Sequence, residues 1–183
     1  MKLPLGQGDY VVRSYEPGDV AALVKYADNE AIARQLLDHF PHPYTEETAR
    51  EWLQAAHEQD PEVSFAIATS EELVGSIGLL LREDVFRHTA EVGYWLAEPF
   101  WGRGIVTRAI EVFTRWAFRE FGFARIEARD FEINPASRRV LEKAGFTFEG
   151  RLRHAATKND QLMDLYVYAL LADEVEGDEE WNG

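Results

Sequence analysis

The run EPFWGRGIVTRAI, Glu98 to Ile110, sets Gly102 and Gly104 on either side of Arg103 just ahead of an amphipathic stretch. That combination can hold an anion. The first N–H groups of a helix lack intrahelical partners, and the helix dipole adds partial positive charge there. A glycine lets a phosphate approach without a Cβ in the way. Arg103 and Arg108 could add full charges. The same residues suit a plain strand-to-helix turn, and alone they do not separate the two. No Gly-Lys-Ser/Thr follows, so this is not a P-loop. No glycine stands three residues after Gly104, so it is not a dinucleotide fingerprint either. Cysteine is absent, which removes thiolate nucleophiles, disulfides and Cys-based zinc sites. His39, His42, His57, His88 and His154 show no metal-ligand spacing, so no metal is expected.

A chain of 183 residues, 46% hydrophobic, suffices for one well-buried core. A single domain over residues 1–172 is expected, followed by a tail at 173–183. The tail carries six acids and no base and reads as solvated and disordered. The net charge of −14 argues against nucleic acid, whose backbone is gripped by Lys and Arg, and mildly favours a cationic acceptor such as an amine. No apolar run approaches the roughly 20 residues that span a bilayer. The apolar part of MKLPLGQGDY is too short for a signal peptide. A cytoplasmic protein is the expectation, with no membrane partner.

The elements that must position these residues follow from periodicity. Tyr10–Glu16 alternates as a strand, stopped by Pro17-Gly18. Asp19–Leu37 has helical spacing with a break near Asp28-Asn29. The prolines of FPHPY exclude regular structure there. Thr45 is an N-cap for a helix over TEETAREWLQAAHEQD, with Glu46 and Glu47 favouring its positive start. VSFAIAT, ELVGSIGLLLRE and TAEVGYWLAEPF read as an antiparallel meander. Gly75 and Gly78 inside the second strand suggest a bulge or a close approach. GIVTRAIEVFTRWAFREFG gathers Ile105, Ala109, Val112, Phe113, Trp116 and Ala117 on one helical face. FARIEARD is a strand. Asn134 caps a short helix with Pro135 at its first position and Gly145 as its stop. FTFEGRLRHA and QLMDLYVYALL close the chain as an antiparallel pair.

At this point the chain resembles the GNAT superfamily of acetyl-CoA-dependent N-acetyltransferases, and within it the RimJ/RimL-like group that acetylates protein N-terminal amines. The segments that carry the likeness are EVGYWLAEPFWGRGIVTRAI, NPASRRVLEKAGFTFEGRLR and RSYEPGDVAALVKYADNEAIARQL with PYTEETAREWL, covering about Tyr10 to Leu171. The resemblance implies an α/β (α+β) GNAT fold: a mixed, mostly antiparallel sheet of about six or seven strands flanked by helices, splayed after the central strand. It implies acetyl-CoA as co-substrate. The pyrophosphate would lie on the amides of Gly102, Arg103, Gly104, Ile105, Val106 and Thr107, and the pantetheine arm beside Trp95, Leu96 and Ala97. Asn134 would bond that arm, with Ser137 close to the sulfur. Pro99 stands where the superfamily often has Gln or Arg, and Arg108 where relatives often have Glu.

The implied reaction is direct attack of a neutral amine on the thioester, which needs no protein nucleophile. A backbone N–H at the end of the Tyr94–Ala97 strand would polarise the carbonyl. Leu141 occupies the position of the superfamily's frequent Tyr, which leaves Ser137 as candidate thiolate donor, or simply as a first-turn hydrogen-bonding serine. Glu91 shares a face with Gly93 and Trp95 by alternation and is the candidate base. The RimL-like group's own glutamate position is Ala156, and His154 lies two residues before it. An N-terminal α-amine, with a pKa of about 7.7–8.0, needs less help than a lysine near 10.4. Phe40, His42 and Tyr44 are expected to wall the acceptor site. The expected partner is an amine, foremost a protein N-terminus, with a polyamine, amino acid or aminoglycoside as the alternative. A catalytically weak acyl-CoA sensor and a homodimer remain open.

Overall fold

A computed structural model of the chain describes residues 1–175. Eight strands form one sheet: β1 Lys2–Pro4, β2 Val11–Arg13, β3 Ser64–Ala68, β4 Leu73–Leu81, β5 Thr89–Leu96, β6 Arg125–Phe131, β7 Thr147–Lys158 and β8 Gln161–Leu171. Their order is β1-β2-β3-β4-β5-β6-β8-β7. Every pairing is antiparallel except β5 with β6. The strand missing from the sequence reading is β1. It is three residues long and ends on a proline, which only an edge strand tolerates.

The helices are α1 Val20–Ala27, α2 Glu30–Ala33, α3 Glu46–His57, α4 Ile105–Phe121, α5 Pro135–Lys143 and α6 Ala172–Val175. The α1–α2 break falls at Asp28-Asn29, where Asn29 Oδ1 accepts from the Ala31 N–H and caps the second helix. Thr45 caps α3 by accepting from the Thr48 N–H at 3.2 Å. Asp173–Val175 belong to the turn of α6, and the remainder of the acidic tail, 176–183, lies outside the described residues.

Helix α4 is the crossover between the two parallel strands. Its apolar stripe, Ile105, Ala109, Ile110, Phe113 and Ala117, is almost fully buried against Val12, Phe65, Ile77, Val92 and Ile126 of the sheet. Each such large aliphatic or aromatic side chain contributes about 1.5–3 kcal/mol by leaving water. Gly122, in the left-handed region at φ +64°, ends it by returning its N–H to the Phe118 carbonyl. The opposite face of the sheet carries α1 and α3 over Ala66 and Leu73, with Tyr15 and Tyr44 buried among them.

The meander packs its glycines tightly. A Cβ on Gly75 would stand 2.5 Å from the Trp95 carbonyl oxygen, and one on Gly78 would stand 2.9 Å from that of Val63. Both alternatives are realised: each glycine is closely approached, and the register passes from Ile67–Gly75 to Ala68–Leu73, which leaves Val74 as an extra residue on β4 beside Gly75.

Candidate functional site

The sheet splits at its centre. β5 and β6 pair only over Thr89–Glu91 and Arg125–Glu127. Val92 to Leu96 then run on, still paired to β4 through Leu96 but with no β6 partner. The start of α5 and the first turn of α4 line the gap where the parallel strands separate. The resulting cleft has a volume of about 320 Å³, bordered by Tyr94 and Trp95 of β5, the start of α4, residues of α5, and Ile32, Gln35 and Leu36.

One wall is the turn opened by Pro99. A 3-10 turn, Glu98–Phe100, stops β5, and the Trp101 indole N–H donates to the Leu96 carbonyl at 2.6 Å. Gly102 and Gly104 follow with φ of +73° and +77°, in the left-handed region that glycine enters without strain. A Cβ on either would meet nothing within 4 Å, so it is the backbone conformation, and not crowding, that calls for glycine here. Gly104 caps α4 without a side chain, and the first bond of the helix runs from the Arg108 N–H to the Gly104 carbonyl. The Ile105, Val106 and Thr107 amides precede that bond and line the cleft as free donors at the positive end of a long helix.

The second wall is α5. Asn134 Oδ1 accepts from the Ser137 N–H at 3.1 Å and fixes the helix start, worth about 1 kcal/mol. The Ser137 hydroxyl is thereby aimed at β5, where it pairs with the Tyr94 hydroxyl at 2.8 Å. Burial, countered by that bond, pushes Tyr94 well above its ordinary value, so its phenol stays protonated. Ala136, Arg139, Val140 and Lys143 share one face of α5, at spacings of three and four, and line the cleft as well.

Most residues expected at the cofactor site meet in this one cleft: Trp95, Leu96, Gly102, Gly104, Ile105, Val106, Thr107, Asn134 and Ser137. Two do not line it. The Ala97 N–H is spent on the Val74 carbonyl and its own carbonyl on the Phe100 N–H. Arg103 turns outward, its carbonyl accepting from Gln7 and its guanidinium 5.5 Å from the Phe100 ring. Arg108 is also directed away, to the Leu5 carbonyl and Glu111. The cations at the cleft are instead Arg139 and Lys143.

Glu91 is placed on the opposite face of β5 from Tyr94. Its carboxylate accepts from Arg82 at 2.8 Å and faces Arg129 at 3.6 Å and Glu127 beyond. Burial raises its pKa, opposed by the two arginines. His154 sits at φ +50° on exposed β7, with its N–H donating to Asp164. Neither lines the cleft.

Phe40, His42 and Tyr44 do gather together. Phe40 packs on Tyr44 at 5.3 Å and on Trp95 at 5.9 Å between centroids, and His42 Nδ1 is 3.1 Å from Asp28. Phe40 therefore backs Trp95 and Tyr44 lies behind Phe40, while His42 meets Asp28, and none of the three lines the cleft itself. Lys158 Nζ donates to Asp38 at 2.7 Å and ties this segment to the final hairpin, on the side where the acceptor wall is expected.

Three residues of the cleft were not expected from the sequence: Tyr94, Arg139 and Lys143. Periodicity carries a signal for Arg139 and Lys143, since both follow Ala136 on one helical face. No local signal pairs Tyr94 with Ser137, which lies on a different element.

A helix start without a side-chain cap at a break in a mixed sheet, with a pair of hydroxyls beside it, defines the class: an α/β protein with a cleft between splayed strands. The chain belongs to the GNAT acetyltransferases. The family described as Acetyltransferase (GNAT) domain matches residues 10–147. Among curated relatives it is 38% identical over 116 residues to "Probable N-acetyltransferase YjcK" of Bacillus subtilis (strain 168), a stretch of 62% of this chain and 64% of that protein. The matched region thus spans less than two thirds of YjcK. It is 30% identical over 148 residues to the Escherichia coli (strain K12) ribosomal-protein-serine acetyltransferase, 79% of this chain and 82% of that one. The fold matches RimL, ribosomal L7/L12 alpha-N-protein acetyltransferase, solved with coenzyme A, at a TM-score of 0.82 and 24% identity. That match covers 95% of this chain and 99% of the other.

Proposed function

We propose that the chain transfers the acetyl group of acetyl-CoA to a primary amine by direct attack in a ternary complex, the acceptor being a protein N-terminal α-amine. The splayed cleft carries this reading, because it offers each part of such a donor a matching surface. The free amides of Ile105–Thr107 suit a diphosphate. The unpaired edge of β5 beyond Glu91 suits an extended amide-bearing arm, which can add to it as a strand does. The Tyr94–Ser137 hydroxyls lie across the gap, where a leaving sulfur needs a proton donor. A thiolate with a pKa of roughly 8.5 requires only such a modest donor. The protein acceptor is supported by the Escherichia coli relative's ribosomal-protein serine.

The amine must arrive neutral. An α-amine is partly so near pH 7, and water removes the second proton as the adduct forms. Glu91, held by Arg82 and Arg129, would join only through such water.

Thermal shift and thiol release test this. Acetyl-CoA at 100 times its Kd adds about 2.7 kcal/mol to the folded state, and ATP or NAD does not. Release of CoA with free-N-terminus peptides above that with polyamines and aminoglycosides supports the protein acceptor. The reverse order assigns a small amine. A shift without release from any amine leaves an acyl-CoA sensor, and no shift with acetyl-CoA overturns the reading.

A further inference from the structure

Asp130 is the unexplained group at this site. It lies near the end of β6 on the face that carries Ile126 and Ala128 into the core, and it is 4% exposed. A buried carboxylate is costly unless it is both paired and hydrogen-bonded. Asp130 has little of either. Its Oδ2 accepts no hydrogen bond, and the nearest cation, Arg138 Nη1, stands 3.6 Å away. That guanidinium is also occupied by the Glu132 carbonyl and by the face of the Tyr166 ring at 4.4 Å.

The groups that face Asp130 are few: Ser137 and Arg138 from α5, Tyr94 from β5, and Tyr166 and Tyr168 from β8, the last with its hydroxyl on Glu142. Burial pushes the Asp130 carboxyl up to about 7, with Arg138 and then the Ser137 hydroxyl drawing it back. Near neutral pH a substantial fraction therefore holds a proton, which an exposed aspartate at about 3.9 would have lost. The Ser137 hydroxyl, close enough to Asp130 to draw its titration down, makes its hydrogen bond to Tyr94, which lines the cleft. Carboxyl, serine hydroxyl and phenol thus run from the core to the mouth of the splay.

We propose that Asp130 is the proton reservoir behind the Ser137–Tyr94 hydroxyl pair, a positioning residue that acts through Ser137. This rests on the acetyl-CoA reading of the cleft. As the tetrahedral adduct collapses, the carbon–sulfur bond breaks and its electron pair leaves on sulfur. The sulfur takes a proton from the hydroxyl pair, and the pair recovers one from Asp130, whose new carboxylate faces Arg138. The proton that the amine sheds on becoming an amide passes to solvent in the cleft, and Asp130 regains one from that solvent by way of the Tyr94–Ser137 pair, so the cycle closes without another reactant.

The test is the pH profile of kcat for the full chain with acetyl-CoA and whichever amine releases CoA. In the wild type, kcat falls as pH rises through the titration of Asp130. Asp130→Asn keeps the shape but has no proton to give. We expect it to lower kcat by about tenfold or more at pH 6.5, to leave the KM for acetyl-CoA within about twofold, and to lose the alkaline fall. Adding Ser137→Ala to Asp130→Asn should cost little further, because both act on one proton path. A thermal midpoint for Asp130→Asn at or above the wild-type value at pH 8 shows that the variant is folded. Retention of wild-type kcat and of the alkaline fall in Asp130→Asn overturns the relay alone. Independent, additive losses from the two substitutions overturn it too. If no amine releases CoA from the wild type, the transfer reading itself fails and the relay falls with it.

Discussion

Asp130→Asn has a second consequence, in stability, that can be read without any substrate. The folded protein holds a proton on Asp130 up to about pH 7, whereas the unfolded chain releases it near 3.8. Between those values the native state binds more protons than the unfolded state, so raising the pH withdraws stability. Each pH unit in that window costs about 1.4 kcal/mol, and the interval from pH 5.5 to 8 crosses about one and a half units of it. The wild type should therefore lose about 2 kcal/mol over that interval through this one group. Asp130→Asn should lose none of that share. Any fixed penalty of placing an amide there cancels when the two pH values are compared within each protein. Urea unfolding of both proteins at pH 5.5 and pH 8 yields the double difference. In thermal midpoints it corresponds to about 4–8 °C for a domain of this size. A double difference under about 0.5 kcal/mol, or of opposite sign, would refute the claim that Asp130 is buried without a compensating partner.

Four further substitutions, at three positions, probe the cleft and its surroundings. Gly75→Ala places a Cβ 2.5 Å from the Trp95 carbonyl and forces β4 and β5 apart at the cleft's edge. It should cost about 1–3 kcal/mol in denaturant unfolding, and an unchanged midpoint would show that β5 is not held there. Asn134→Ala removes the acceptor for the Ser137 N–H and should cost about 1 kcal/mol. Asn134→Asp keeps the cap but removes the amide donor, so it should retain stability while weakening acetyl-CoA binding in calorimetry. Equal affinity in both proteins would assign Asn134 to capping alone. Lys158→Met keeps the buried stem and deletes the bond to Asp38. The KM for the amine should rise several-fold with the KM for acetyl-CoA unmoved, and a change confined to acetyl-CoA would detach that segment from the acceptor side.

Elements whose identity rests on local pattern were legible in the sequence. The apolar stripe of α4, the caps at Thr45 and Asn134, the break at Asp28-Asn29 and the three-strand meander all depend on neighbours within a few residues. β1 was not, because three residues ending on proline become a strand only when β2 supplies a partner. At the site the division is similar. Backbone donors were predictable, since a glycine pair before a helix exposes amides wherever that helix goes. Side-chain charges were not. Arg103 and Arg108 stand beside the cradle in sequence, yet one swings out over Phe100 and the other reaches back to Leu5, because long side chains follow the carbonyls and rings that tertiary packing brings near. Arg139 and Lys143 supply the positive edge from another helix.

Asp130 marks the boundary most sharply. In the run ARDFEIN it reads as one more polar residue where a strand is ending. Its chemistry comes from being the residue of β6 that turns inward just past the point where β5 departs. The missing β5 ladder makes room for Ser137 and Tyr94, and the core beneath excludes the water that would keep the carboxyl ionised. The splay that opens the cleft to a ligand is thus also what leaves this carboxyl with only a 3.6 Å ion pair to Arg138 and no hydrogen bond on Oδ2. Closing the gap by pairing β5 to β6 beyond Glu91 would remove the binding edge and the hydroxyl pair's place together. On that argument the instability that Asp130 imposes above neutral pH and the activity of the cleft are coupled, and a substitution that relieves the first should diminish the second.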